Sequence, residues 1–306
     1  MTNTPEWFVR PLEDELQIWR FTSSYALLMG RANAEHGPGS CFHAKSGGTV
    51  WEAIMEETPW LDEQEVPGPF VPLRHSPGQF FSRMARPIIG DSLDKSSLVQ
   101  ARLPDCNNEQ RYLRNAQTQL EALVADLAAI CRVVEPSDTT LEAYGHEIRN
   151  LLILAATEVE MHMAGIMVSN GNKEGRRNTT SYAKLAEPLR LRGYSACFKR
   201  YPEMPEIKPF AEWRNDKTTV SLKWYDAYNA VKHDRERQFK RASLCNAFEA
   251  VSACAILLVA QFGEAGLSDD LKRSLTVGGE PWLIEDCYVA PQQSFPWTPA
   301  NHPDLL

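Results

Sequence analysis

Three stretches of the chain repeat apolar residues at spacings of three and four, and this period constrains the fold more than any other feature. Over residues 108–134 the repeat is Leu113, Ala116, Leu120, Leu123, Leu127 and Ile130. Over 139–170 it is Ile148, Leu152, Ala155, Val159, Met163 and Ile166, and over 241–262 it is Leu244, Ala247, Phe248, Val251, Cys254 and Leu258. Residues three and four apart share one helix face, so each stretch predicts a long α-helix with a seam for a core. Glu135-Pro136-Ser137 separates the first from the second, which opens at Thr139 with Glu142 three residues on, a candidate capping box. A short helix is expected at 181–189, and a small hairpin or extended segment within 194–213. Residues 11–31 also read as helical: Pro11 suits a first turn, acids Glu13, Asp14 and Glu15 follow, and Leu12, Leu16, Trp19, Leu27 and Leu28 mark apolar positions. From Glu35 to Pro104, Gly/Pro turns at 37–39, 47–48, 67–69 and 77–78 interrupt a sequence without a clear period. The expected class is mainly α, with an irregular helical N-terminal accessory region (1–135), a helical bundle (136–265) and an irregular Pro-rich tail (266–306).

Composition bounds the function. The longest apolar run, 253–260, is too short to cross a bilayer, and the first six residues lack the basic start and apolar core of a secretion signal. Seven cysteines without a Cys-x-x-Cys pair do not form a disulfide framework. A cytoplasmic protein with reduced thiols and no membrane partner is expected. A net charge of −8 argues against nonspecific coating of nucleic acid. Residues 173–241 nevertheless hold 17 Lys+Arg against 9 Asp+Glu. This basic block is either a phosphate-binding surface or a solvated face paired with acids elsewhere.

The chemistry concentrates in residues 224–235. A single helix there places Asn229, Lys232, His233 and Glu236 on a polar face, and Trp224, Ala227 and Val231 on the opposite, core-facing side. Asn229 and His233 are four apart, so the amide can orient the ring. A histidine titrates near neutrality and exchanges protons, and the neighbouring lysine can hold a phosphate.

Residues 139–263 resemble the HEPN superfamily of bacterial helical domains. The resemblance rests on the helix from Tyr144 to Glu160 and on Tyr228-Asn229-x-x-x-His233 followed by an alanine-containing closing helix. It leaves the N-terminal part unexplained. It implies a four- or five-helix up-and-down bundle, often a homodimer. It also implies metal-independent RNA endonuclease chemistry, without a cofactor, in toxin–antitoxin, phage-defence or RNA-processing systems. The family motif is an arginine, a polar residue, three arbitrary residues and a histidine. Asn229 and His233 match the last two positions, but Tyr228 stands where the arginine belongs, and a phenol has no guanidinium fork for the scissile phosphate. The Arg-Asn pairs at 114/115, 149/150, 177/178 and 214/215 are followed by Gln119, Leu154, Tyr182 and Thr219 at the histidine position. Arg31 and His36 have the spacing, but Ala32 fills the polar position.

Three readings stay open. In the first, Lys232 or Arg235 supplies the missing charge, and His233, oriented by Asn229, acts as acid/base on the ribose 2′-hydroxyl to cleave RNA to a cyclic phosphate. In the second the domain keeps its shape and basic face but only binds RNA or a nucleotide, with Lys232, Arg235, Tyr228 and Arg149 as its RNA and phosphate contacts. In the third it is a catalytically inactive structural or interaction module, such as the partner of a toxin or a defence effector.

Other constellations are weaker. His36, Cys41, His43 and His75 are zinc-competent types without zinc-site spacing, so no metal is expected. Cys41 and His43 are only two apart and are not expected to converge as a nucleophile pair. Glu158 and His162 are either a surface pair or partners of His233 in a shared cleft, which His146, Glu147 and Arg149 would also line. The aromatic run Tyr194, Phe198, Tyr201, Phe210, Trp213, Trp224 and Tyr225, interleaved with Lys199, Arg200, Lys208 and Arg214, either stacks bases or packs a core. Phosphate-loop, dinucleotide-binding and hydrolase-elbow motifs do not occur.

Overall fold

The computed structural model describes residues 6–12, 15–29, 39–58, 70–89, 98–99, 107–172, 177–280 and 282–289. The chain divides into two units, the first built from 1–80, 86–101 and 281–303, the second from 81–85, 102–280 and 304–306. The turn at 37–39, His36, the loop residues 173–176 and the prolines from 291 onward lie wholly or largely outside the described residues.

The first unit overturns the mainly α expectation; the protein is mixed α/β. Strands β1 (Glu6–Pro11), β2 (Leu16–Phe21), β3 (Tyr25–Leu28), β4 (Cys41–His43) and β5 (Val71–Pro72) form an antiparallel sheet in the order β4-β3-β2-β1-β5. They replace the helix expected over 11–31. Successive strand residues point to opposite faces, and here both faces are covered. Leu16 and Ile18 of β2 join Val9 and Met29 on one side, whereas Trp19 and Phe21 join Phe8, Leu28 and Phe42 on the other. A strand buried on both faces is nearly continuously apolar and imitates a helical repeat. The aromatic and β-branched content of Trp7, Phe8, Val9, Ile18, Trp19 and Phe21 is the local preference that resolves the ambiguity.

Helix α1 (Val50–Glu57) covers the aromatic face. Its capping box is complete: Glu52 N donates to Thr49 Oγ1 at 3.2 Å, and Thr49 N to Glu52 Oε2 at 2.8 Å. Three short strands, β6 (Ile88–Ile89), β7 (Leu98–Val99) and β10 (Tyr288–Val289), make a further sheet in which β10 runs parallel to β6. Part of the expected irregular tail is therefore a strand. Arg74 anchors it through Glu285 at 2.7 Å and Asp286 at 3.2 Å.

The second unit holds the long helices. They are α2 (Asn107–Cys131), α3 (His146–Ser169) and α7 (Leu244–Phe262), close to where the seams predict them. Between α3 and α7 lie α4 (Thr179–Ala183), β8 (Ser195–Phe198), α5 (Lys223–His233) and α6 (Arg235–Gln238), and after α7 come α8 (Asp269–Ser274) and β9 (Leu275–Gly278). Helix α7 is apolar almost all round, which requires burial on every side, and it packs against α3, α2 and α5. Helix α2, placed with the N-terminal region on sequence, shares this core with α3 and α7. Helix α3 begins at His146 rather than Thr139: residues 140–142 form one 3₁₀ turn, and Thr139 makes no side-chain cap. The run 194–213 does contribute a strand, but β8 pairs antiparallel with β9, beyond α8. The helical spans His146–Ser169 and Leu244–Gly266 have the length and apolarity of a membrane-crossing helix, more than the run 253–260 suggests. In the second span 78% of the most apolar window is buried inside the protein, and in the first 50%.

Candidate nucleic-acid interface

Helix α5 is held by one buried face of Trp224, Tyr225, Ala227, Tyr228 and Val231, and Trp224 Nε1 donates to the Pro209 carbonyl at 3.0 Å. The helix stops at His233. Asp234 leaves the helical conformation, and its carboxylate caps α6 by accepting from Arg237 N at 3.2 Å. The single helix expected through residue 235 is thus two helices joined at an elbow, and Glu236 leaves the face that carries Asn229, Lys232 and His233. Asn229 is half-buried and His233 exposed. Among the described residues the two side chains share no hydrogen bond, so the expected orientation of the ring by the amide is not made.

Tyr228, at the position where the expected motif would have an arginine, is in the core with 1% of its surface exposed and is not a direct RNA contact as packed. Its hydroxyl accepts from Lys232 Nζ at 2.7 Å and donates to Glu160 Oε2 of α3 at 3.5 Å. Tyr225 donates to the other oxygen of Glu160 at 2.5 Å. Burial first, then the bond to Glu160, pushes the Tyr225 pKa far up, so its phenol remains a donor. The ammonium of Lys232 also lies 4.9 Å from the centroid of the Tyr228 ring, and the hydrogen bond to Tyr228 raises the Lys232 pKa. The tyrosine therefore positions a cation at the surface instead of supplying one. The residues 158–160 belong to the helix that carries the resemblance, yet only the packing of α3 against α5 shows which acid turns inward.

Arg149 is likewise a structural contact. Its Nη2 donates to the carbonyl of Val231 at 3.4 Å, in the last turn of α5, where the carbonyls lack helical partners and a positive charge is favoured. The surface cations are instead Lys232, Arg235, Arg237 and Lys240, all exposed and none paired with an acid among the described residues. Arg241, by contrast, is neutralised by Asp226 at 2.5 Å. Next to this basic elbow the rings of Tyr144 and His146 lie against Phe239, with centroids 5.8 and 5.0 Å apart. Tyr144 is 46% exposed, so the elbow combines exposed cations with an accessible aromatic surface.

The other candidates separate from this site. His162 is buried against Tyr112 of α2, with Nδ1 and the hydroxyl 2.5 Å apart, and does not join His233 in a cleft. Phe198, Phe210, Trp213 and Trp224 are buried in the core and Tyr225 nearly so, which leaves them unable to stack on bases. Cys41 and His43 do converge, Sγ to Nε2 at 3.3 Å, because residues two apart share a face on a strand. Among the described residues no group of three or more His, Cys, Asp and Glu side chains is placed to hold a metal ion. Burial, and after it the charge of Arg86, lowers the His75 pKa to about 4, with the charge of Asp286 acting in the opposite sense.

Comparison of the chain with protein-family models, with curated proteins and with solved structures finds no match in any of the three.

Proposed function

We propose that the second unit binds single-stranded RNA at the α5–α6 elbow, with Lys232, Arg235, Arg237 and Lys240 on phosphates and the Tyr144, His146 and Phe239 rings beside the bases. The observation that carries this reading is a set of unpaired cations beside exposed rings in a chain of net charge −8. Charge along a backbone with aromatic platforms for bases is the general solution to single-strand binding. His233 is exposed and adjoins Lys232 on the same helix, and an imidazole there is the type of group that acts as acid/base on a ribose 2′-hydroxyl. In the HEPN-like motif Lys232, held on Tyr228, then takes the role of the missing arginine as a point charge. A bacterial defence or stress context and a cytoplasmic setting belong to the same proposal. The test uses the full chain and labelled single-stranded RNA in EDTA, wild type beside His233→Ala. Cleavage lost in the variant supports the ribonuclease form, and salt-sensitive binding without cleavage supports the binding form. Neither activity sinks both.

One observation favours a second reading, an interaction module that pairs with another copy. Leu154, Met161 and Val168 lie seven apart on α3 and remain 49%, 44% and 49% exposed, three apolar side chains spaced two turns apart along one line of the helix surface. Light scattering that gives a monomer at high micromolar concentration would remove it.

A further inference from the structure

The second unit carries a cleft of about 740 Å³ between α2, the end of β8 and α8, a volume typical of small-ligand sites. Its walls have different chemistry. Helix α2 turns Ala125, Ala128 and Ala129 towards it, so this wall is low and apolar. Tyr201 also lines the cleft, and its ring stands edge-on against Phe248 at 5.8 Å. An apolar slot with one ring suits a planar group.

The rim is cationic. Arg132, Lys199, Arg200 and Arg273 line it, against the acids Glu121 and Asp270. Both acids are occupied: Asp270 pairs with Arg273, and Glu121 accepts from Ser268 Oγ at 2.5 Å. Lys199 Nζ is held by the Lys272 carbonyl at 2.6 Å, which keeps its charge at the cleft without neutralising it. Arg132 and Arg200 have no acidic partner among the described residues. Guanidinium groups lining the same cleft as an apolar wall and a ring suit a ligand with phosphate at one end and a planar group at the other.

We propose that this cleft binds a mononucleotide, with its phosphate on Arg132 and Arg200 and its base between the alanine wall and Tyr201. The site is separate from the α5–α6 elbow and does not depend on what the elbow binds. Isothermal titration of the full chain in EDTA tests it, with AMP, GMP, adenosine and inorganic phosphate as probes, on wild type and on the R132A/R200A double variant. Both arginines are exposed, so the variant is expected to melt with the wild type. The expected result is saturable nucleotide binding, with adenosine and phosphate each roughly tenfold weaker or more, and a loss of about tenfold or more in the double variant. RNA binding at the elbow survives in that variant, which separates the two sites. Absence of saturable binding by any probe overturns the proposal, as does an AMP affinity unchanged in R132A/R200A. Inorganic phosphate binding as tightly as AMP overturns the nucleotide assignment.

Discussion

Acid should loosen the second unit through one residue, His162. Its ring is 2% exposed, and Nδ1 lies 2.5 Å from the Tyr112 hydroxyl, while the Arg83 guanidinium sits 3.9 Å from the centroid of the Tyr112 ring. Burial, and after it the charge of Arg83, lowers the His162 pKa to about 4, and burial pushes Tyr112 up to about 12. The phenol therefore keeps its proton and donates it to a neutral imidazole. In the unfolded chain the same imidazole titrates at about 6.5. Because the folded value is the lower one, the unfolded chain takes up the proton first. Stability is complete above about pH 6.5, falls as the pH drops below it, and has lost its full increment near pH 4. At about 1.4 kcal/mol per pKa unit the loss is roughly 2 kcal/mol at pH 5 and about 3 kcal/mol at pH 4. Urea unfolding of wild type and His162→Gln across this range isolates it, since the carboxylates and His75 titrate in both proteins. The variant starts less stable, because the fit to Tyr112 is lost, but its curve falls less steeply. The gap narrows by about 2 kcal/mol between pH 7 and 5. Parallel curves over that interval would refute the assignment of a neutral buried imidazole.

Three other outcomes follow from particular contacts. Gly266→Ala brings a Cβ within 2.4 Å of the Leu258 carbonyl oxygen, an atom of the backbone that cannot swing away, so a loss of about 3 kcal/mol in unfolding free energy is expected, and an unchanged urea midpoint contradicts it. If Lys232, Arg235, Arg237 and Lys240 each neutralise one phosphate, every alanine substitution flattens the plot of log affinity against log salt by about 0.7. A quadruple variant with the wild-type slope removes the elbow as the contact surface. Cys41, with its thiol against His43 on an edge strand, alkylates ahead of buried Cys131, Cys254 and Cys287 and slows in His43→Ala; equal rates in the two proteins mean the imidazole does not activate the thiol.

The helical half of the fold was legible because its signal is local. The seam of Leu113, Leu120 and Leu127, that of Leu152, Val159 and Ile166, and that of Phe248, Val251 and Leu258 are all buried as the period requires. The sheet was not, because Leu16, Ile18, Trp19 and Phe21 are apolar on both faces and a doubly buried strand has no alternation to read. The break at Asp234 was also hidden: an aspartate is a fair residue inside a charged helix and a better one as a cap.

At the site, sequence alone placed Trp224, Ala227 and Val231 on the buried side of α5 and marked residues 173–241 as basic, since a helix period and a charge count need no partner. Tertiary structure decided what each polar group is for. Glu160 meets Tyr225 and Tyr228 only when α3 lies against α5, Arg149 becomes a cap only because the last carbonyls of α5 come within its reach, and β8 finds its partner only past α8. Hydrogen bonds and burial are pairwise quantities between distant segments, and a single chain of letters lists the groups without saying which of them meet.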